Sequence, residues 1–134
     1  MEITICKGTD PYLYQWVGPL VMDKAVIKYN NNYPFKTAEN YAWHIAFEGG
    51  QVLGFVPMEL RKTRAIFNNY YVAKDSPEVL EALLRHVKDT YGTLPIEVVA
   101  HTRHAELFQR NGFEPFITWK KYVKLMYVAT GKKS

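Results

Sequence analysis

Apolar and polar residues alternate from Glu2 to Lys7 in a run rich in β-branched side chains, which predicts a strand. Thr9-Asp10-Pro11 then sets a capping residue ahead of a proline suited to a first helical position, so a helix is expected to begin there. Gly18-Pro19 is expected to interrupt it. A second helix from about Pro19 to Tyr29 would end in the turn-forming Asn30-Asn31-Asn32-Tyr33-Pro34. Three strand segments follow: Tyr41 to Glu48, Gln51 to Leu60 and Arg64 to Ala73. Gly49-Gly50 is a tight-hairpin signal and Arg61-Lys62-Thr63 a polar turn, so the three read as an antiparallel meander. Its third strand places Asn68 and Asn69 in the middle of an apolar and aromatic run.

The clearest helix comes next. Asp75-Ser76-Pro77-Glu78 combines capping residues, an early proline and first-turn acids, while Val79, Leu80, Leu83, Leu84 and Val87 share one face and Gly92 ends the run. Pro95 to Ala100 reads as a strand, His104 to Arg110 as a short helix closed by Asn111-Gly112, and Phe113 to Val128 as strand material bent near Thr118 to Lys121. A meander, a helix, a strand, a helix and a terminal strand pair make an α/β (α+β) protein: a mixed, mostly antiparallel twisted sheet with flanking helices.

At 134 residues without repeat or linker, the chain has room for one core, so residues 1–128 are expected to form a single domain and 129–134 a flexible tail carrying Lys132 and Lys133. The formal net charge of +4 owes much to that tail, leaving Arg61-Lys62-Thr63-Arg64 and Lys120-Lys121 as modest basic spots that a solvated surface explains as well as nucleic acid does. Cys6, the one cysteine, excludes a disulfide scaffold and a cysteine zinc site, and reads as a buried thiol. The first residues lack the order of a signal peptide, and no apolar run approaches the ~20 residues that span a bilayer, so the expected compartment is a reducing cytoplasm, with no membrane partner.

Motifs for serine hydrolases, zincins and P-loop enzymes are absent. His101 and His104, with His86 and Glu106, do not have a spacing that forces convergence on a metal. His44, Trp16, Trp43 and Trp119 read as packing residues. Asn68 and Asn69 point to opposite faces of their strand, so at least one should meet a covered surface, where an amide can orient a substrate or bind an oxyanion.

Two stretches resemble the GNAT superfamily of N-acetyltransferases. Tyr70-Tyr71-Val72 is similar to the end of that family's central strand, Val79 to Val87 to the helix after it, and Leu107-Phe108-Gln109-Arg110-Asn111-Gly112-Phe113 to its Leu-Tyr-x-x-x-Gly-Phe ending. The resemblance implies a GNAT-like sheet whose central strand splays from its parallel neighbour to admit acetyl-CoA. It implies cofactor contacts at Tyr71, Val72, Lys74, Ser76, Val79 and Phe108, and Glu59 where some members keep a catalytic base. Two departures stand out: Lys74-Asp75-Ser76-Pro77-Glu78-Val79 lacks the glycines and basic charge of the family's phosphate loop, and Phe108 replaces the tyrosine that protonates the departing thiolate. Spare phenols lie at Tyr70 and Tyr71, so Glu59, Asn68, Asn69 and Tyr70 form the catalytic set.

Two readings follow. One is an N-acyltransferase moving an acetyl group from acetyl-CoA to an amine, on a small molecule or a protein. The other is a non-catalytic GNAT-shaped binding protein, similar to small basic members carried by phages, that contacts nucleic acid or protein. The first requires a gap between the strand ending at Val72 and the strand starting near Pro95, not plugged by rings.

Overall fold

The structure, a computed structural model, describes residues 1–129; the basic tail with Lys132 and Lys133 lies outside the described residues. Strands β1 (Glu2–Lys7), β2 (Tyr41–Glu48) and β3 (Gln51–Leu60) pair antiparallel in chain order, with the ends the alternation predicts. Gly49 and Gly50 turn the hairpin with φ of 59° and 78°, a left-handed pair that glycine adopts at least cost.

The third strand departs from expectation. Instead of one run from Arg64 to Ala73 it splits into β4 (Ala65–Phe67) and β5 (Tyr71–Val72), both paired with β3. The register gives the reason: Ile66 opposes Glu59 and Val72 opposes Gly54, so six steps on one strand face five on the other. The extra residue makes a bulge at Asn68-Asn69-Tyr70, which bends the strand and ends its pairing on the far side. Gly54 lets β5 lie close, since a Cβ there would stand 2.6 Å from the Tyr71 carbonyl oxygen.

The first helices also break in an unexpected place. Helix α1 (Leu13–Val21) passes through Gly18-Pro19, and α2 (Lys24–Tyr29) starts only after Asp23, whose carboxylate accepts from the N–H groups of Ala25 (2.7 Å) and Val26 (3.4 Å). Pro19 is exposed, so its missing N–H and bulky ring sit on the wet side, while Leu13 and Val17 pack on the sheet. Burial of that face and the Asp23 cap decide the boundary.

Helix α3 (Pro77–Tyr91) buries Val79, Leu80, Leu83, Leu84 and Val87 on the other face of the sheet. Strand β6 (Ile96–His101), a 3-10 turn at Thr102–His104, helix α4 (Ala105–Arg110) and strands β7 (Glu114–Thr118) and β8 (Tyr122–Tyr127) complete the chain. The sheet order is β1-β2-β3-β4-β6-β8-β7, with β4 and β6 its parallel neighbours. Cys6 is buried, and burial together with the charge of Asp10 pushes its thiol pKa up, as suits an inert sulfur.

Of the four presumed packing residues, Trp43 is 2% exposed and fits that role. His44 is fully buried under α3, but in a polar chain: its Nδ1 lies 2.8 Å from Nδ1 of His86 and its Nε2 2.9 Å from the Tyr91 hydroxyl. Trp16 and Trp119 are 43% and 49% exposed: Trp16 flanks the buried face of α1 and meets the Phe47 ring edge-on at 4.5 Å, and Trp119 lies in the turn between β7 and β8.

Candidate active site

Past the pairs Ala65–Ile96, Ile66–Glu97 and Phe67–Val98, β4 and β6 part. The bulge turns β5 toward β3, while β6 continues to His101 paired with β8. A gap is therefore present, but the expectation that rings leave it open fails, because aromatic side chains fill its middle. Tyr70 is fully buried, and its ring reaches across the gap so that its hydroxyl accepts from the His101 N–H at 3.1 Å. On the opposite face Tyr29, at the end of α2, packs against Tyr71 and His101, and the Asn31 amide lies 3.3 Å from His101 Nδ1. These groups leave an opening on each side.

The first opening is a cleft of about 600 Å³ lined by Glu59, Asn68 and Asn69 among others. Glu59 is 21% exposed and accepts from Arg61 Nε at 3.1 Å. Asn68 is exposed and Asn69 half-buried, so neither is the covered amide that strand alternation predicted; the bulge turns both to the rim. Tyr41 and Tyr122 form walls and Trp119 a third, which explains its exposure. Burial raises the Tyr41 pKa, and so does the negative charge of Glu59. The Tyr122 hydroxyl is buried with no hydrogen-bond partner among the described residues, an arrangement that costs about 1–3 kcal/mol unless something polar meets it.

The second opening is a groove of about 410 Å³ along β5, lined by Tyr71, Val72 and Lys74, with Tyr29, Asp75 and Arg103 opposite. Tyr71 and Val72 pair with β3 only, so their other edge faces the groove. Lys74 and Asp75 have φ of 57° and 53°, two consecutive left-handed residues that are not glycine. This turn carries the Asp75 carboxylate into a cluster of donors: the Tyr29 hydroxyl at 2.9 Å, Arg103 Nε at 3.0 Å and Nη2 at 3.3 Å, and His104 Nε2 at 2.8 Å. Burial alone would raise the Asp75 pKa, but the bonds from Arg103, Tyr29 and His104 outweigh it and hold the value at about 2.

The His104 tautomer follows from these partners. Burial lowers its pKa, so the ring is neutral near pH 7; Nε2–H donates to Asp75, and Nδ1 accepts from the Tyr70 hydroxyl at 2.6 Å. Tyr70 is thus satisfied in both directions, and burial keeps its phenol well above the usual range.

Of the residues selected from sequence, Glu59, Asn68 and Asn69 meet at the cleft, and Tyr71, Val72 and Lys74 meet at the groove. Four do not reach either opening. Tyr70 and Phe108 are fully buried, their ring centres 5.8 Å apart, because both complete the core under α3 and α4. Ser76 is spent as the cap of α3, accepting from the Val79 N–H at 3.3 Å, and the Val79 side chain is buried. Sequence reasoning missed Tyr29, Arg103, His104 and Tyr122, whose roles depend on contacts far along the chain. It also missed that Arg61 and Arg64 in the basic turn face Glu59 and Glu97 at 3.1 Å, which reduces the field they offer a polyanion. Among the described residues no three His, Cys, Asp or Glu side chains converge as a metal site, and no helix is long and apolar enough to cross a membrane.

No family model matches the sequence, and no curated protein matches it. Solved structures do match. An acyl-CoA N-acyltransferase from Pseudomonas aeruginosa superposes with a TM-score of 0.73 at 11% identity, covering 96% of this chain and 100% of its own. A GNAT-family protein from Bacteroides thetaiotaomicron gives 0.65 at 11% identity, covering 100% and 90%. The ribosomal-protein-S18-alanine N-acetyltransferase from Escherichia coli gives 0.62 at 12% identity, covering 99% of each. Identity this low is a likeness of architecture, and it extends over whole chains: the chain has the fold of the GNAT acetyltransferases.

Proposed function

We propose that this domain is an N-acyltransferase that holds an amine in the cleft and moves onto it an acetyl group presented from the groove along β5. The observation that carries the reading is the pair of openings on either side of one parted strand pair, one with a free strand edge and one with a carboxylate and two amides. Acetyl-CoA, the co-substrate this fold implies, would supply a thioester carbonyl for the amine to attack. Its extended amide arm suits the free edge of Tyr71 and Val72.

The pyrophosphate end fits poorly. Pro77 has no N–H, the Val79 N–H is taken by Ser76, and Glu78 accepts from the Ser76 hydroxyl at 3.2 Å beside the start of α3. That helix end presents carboxylate where a phosphate loop presents bare N–H groups. The roles below are therefore confined to the cleft.

Glu59 is the proton acceptor. An ammonium group entering the cleft is attracted to its carboxylate, loses a proton to it directly or through one water, and becomes a nucleophile; Arg61 fixes the carboxylate by a charge-assisted bond. Asn68 and Asn69 donate amide N–H groups at the rim, where a carbonyl oxygen gains negative charge on attack; collapse of that adduct breaks the C–S bond and expels the donor as a thiolate, which takes up the second amine proton through water. Tyr41, Trp119 and Tyr122 supply faces for an alkyl or aromatic amine. For the carbonyl to reach the amine, the end of α2 must shift and release Asn31 from His101, so activity is coupled to movement of that segment.

Two measurements test the reading. Acetyl-CoA at saturating concentration should raise the melting temperature, and no shift at millimolar ligand overturns donor binding. Glu59→Gln should lower kcat about a hundredfold in an amine-acetylation screen while donor affinity stays unchanged, and an unaltered kcat removes Glu59 from the mechanism.

A further inference from the structure

The donor groove already contains an anion, and the protein itself supplies it. Four hydrogen bonds from Tyr29, Arg103 and His104 converge on the Asp75 carboxylate at 2.8–3.3 Å. To reach them the backbone takes two left-handed residues in succession, Lys74 and Asp75, without glycine at either. The Arg103 guanidinium also lies over the Tyr29 ring, 5.1 Å from its centre, so the donors brace one another. Lys74 lines the same groove. Hydroxyl, guanidinium and imidazole N–H groups arranged in this way suit a phosphate, and a side-chain carboxylate satisfies the same donors.

We propose that Asp75 occupies the seat of a donor phosphate, so that the groove selects acyl donors by their thioester arm and draws no affinity from a pyrophosphate. This inference rests on the acyl-transfer reading and specifies its donor class: pantetheine-type thioesters, with or without a nucleotide. A phosphorylated donor gains the Arg103 contact only by expelling Asp75, and it then meets the expelled carboxylate at close range. The exchange of one anion for another leaves the phosphates with no net contribution. Removing the charge at residue 75, while keeping its shape, frees Arg103 and Tyr29 for the phosphates.

The test is isothermal titration calorimetry of the whole chain with acetyl-CoA and with S-acetylpantetheine, which carries the same thioester arm and no phosphate. The wild type should bind the two with dissociation constants within about threefold. Asp75→Asn should bind acetyl-CoA at least about tenfold more tightly, the gain of one charge-assisted bond, with S-acetylpantetheine unchanged. Tyr29→Phe, which loosens Asp75 by one bond, should give a smaller gain of the same sign and decides the matter if Asp75→Asn does not melt cooperatively. The inference is overturned if wild-type protein prefers acetyl-CoA by tenfold or more, or if both variants bind it no more tightly than wild type does. Absence of binding by either donor to all three proteins overturns the acyl-transfer reading, and this inference with it.

Discussion

Acidification from pH 6.5 to pH 4 is expected to remove about 3–5 kcal/mol from the stability of this protein. The cause lies in two histidines that the fold keeps neutral. Burial, assisted by the neighbouring His86, lowers the His44 pKa to about 3; burial, assisted by Arg103 and His104, lowers that of His101 to about 4. In the unfolded chain both return to about 6.5. Between these values the unfolded state binds protons that the folded state does not, so stability present above pH 6.5 is lost as the pH falls, by up to about 1.4 kcal/mol per unit for each ring. A protonated His44 would have no carboxylate to pair with: its partners are the His86 ring and the Tyr91 hydroxyl, which burial holds in its neutral form with a pKa near 12. Asp75 acts in the same direction at lower pH, since its contribution is present above 3.8 and lost as the pH falls through about 2. Urea unfolding at pH 7, 6, 5 and 4 measures the slope; a midpoint that does not move over that range refutes the neutral, buried state of both rings.

Tyr70→Phe is the second large effect, with an expected loss of about 2–4 kcal/mol, because the change strands two buried groups at once. The His101 N–H loses its acceptor and His104 Nδ1 loses its donor, and the fully buried ring leaves no route for water to replace either. For a chain of this size the melting temperature should drop by roughly 3–5 °C for each kcal/mol. An unchanged melting temperature would mean that solvent already reaches the gap between β5 and β6. The result also separates two roles for this phenol. The sequence suggests an acid that replaces the one missing at Phe108, whereas the structure gives Tyr70 two internal partners and no face on the cleft.

The strands β1, β2 and β3 were readable to the residue, because alternation and a Gly-Gly turn act over a few neighbours. Pro19 misled for the opposite reason: a proline on the wet side of a helix costs one bond and a mild bend, and the burial of Leu13 and Val17 that offsets this cost is a tertiary fact. The bulge after Phe67 was illegible in principle, since an extra residue exists only relative to a partner, and the registers with Glu59 and Gly54 belong to a strand before it. The departures at Asp75 and Pro77 could be seen, but not their purpose, because Tyr29, Arg103 and His104 lie 46, 28 and 29 positions away. Glu59 came from the family resemblance and the two amides from their place in an apolar run; that all three line one cleft follows from the β3–β4 register and the bulge.

The parted strand pair has a mechanical consequence. Among the described residues three strand pairs, Ala65–Ile96 to Phe67–Val98, stitch the half-sheet of β1 to β5 to the half-sheet of β6 to β8, with the Ala65–Pro95 and Arg64–Glu97 bonds at one end and the Tyr70–His101 bond beyond the other. Such a seam should breathe more readily than either half unfolds, with the His101 amide as its reporter. In deuterium exchange that amide should be labelled well ahead of those in the middle of β2 and β3, and a ligand that wedges the halves apart should hasten its labelling while leaving theirs untouched.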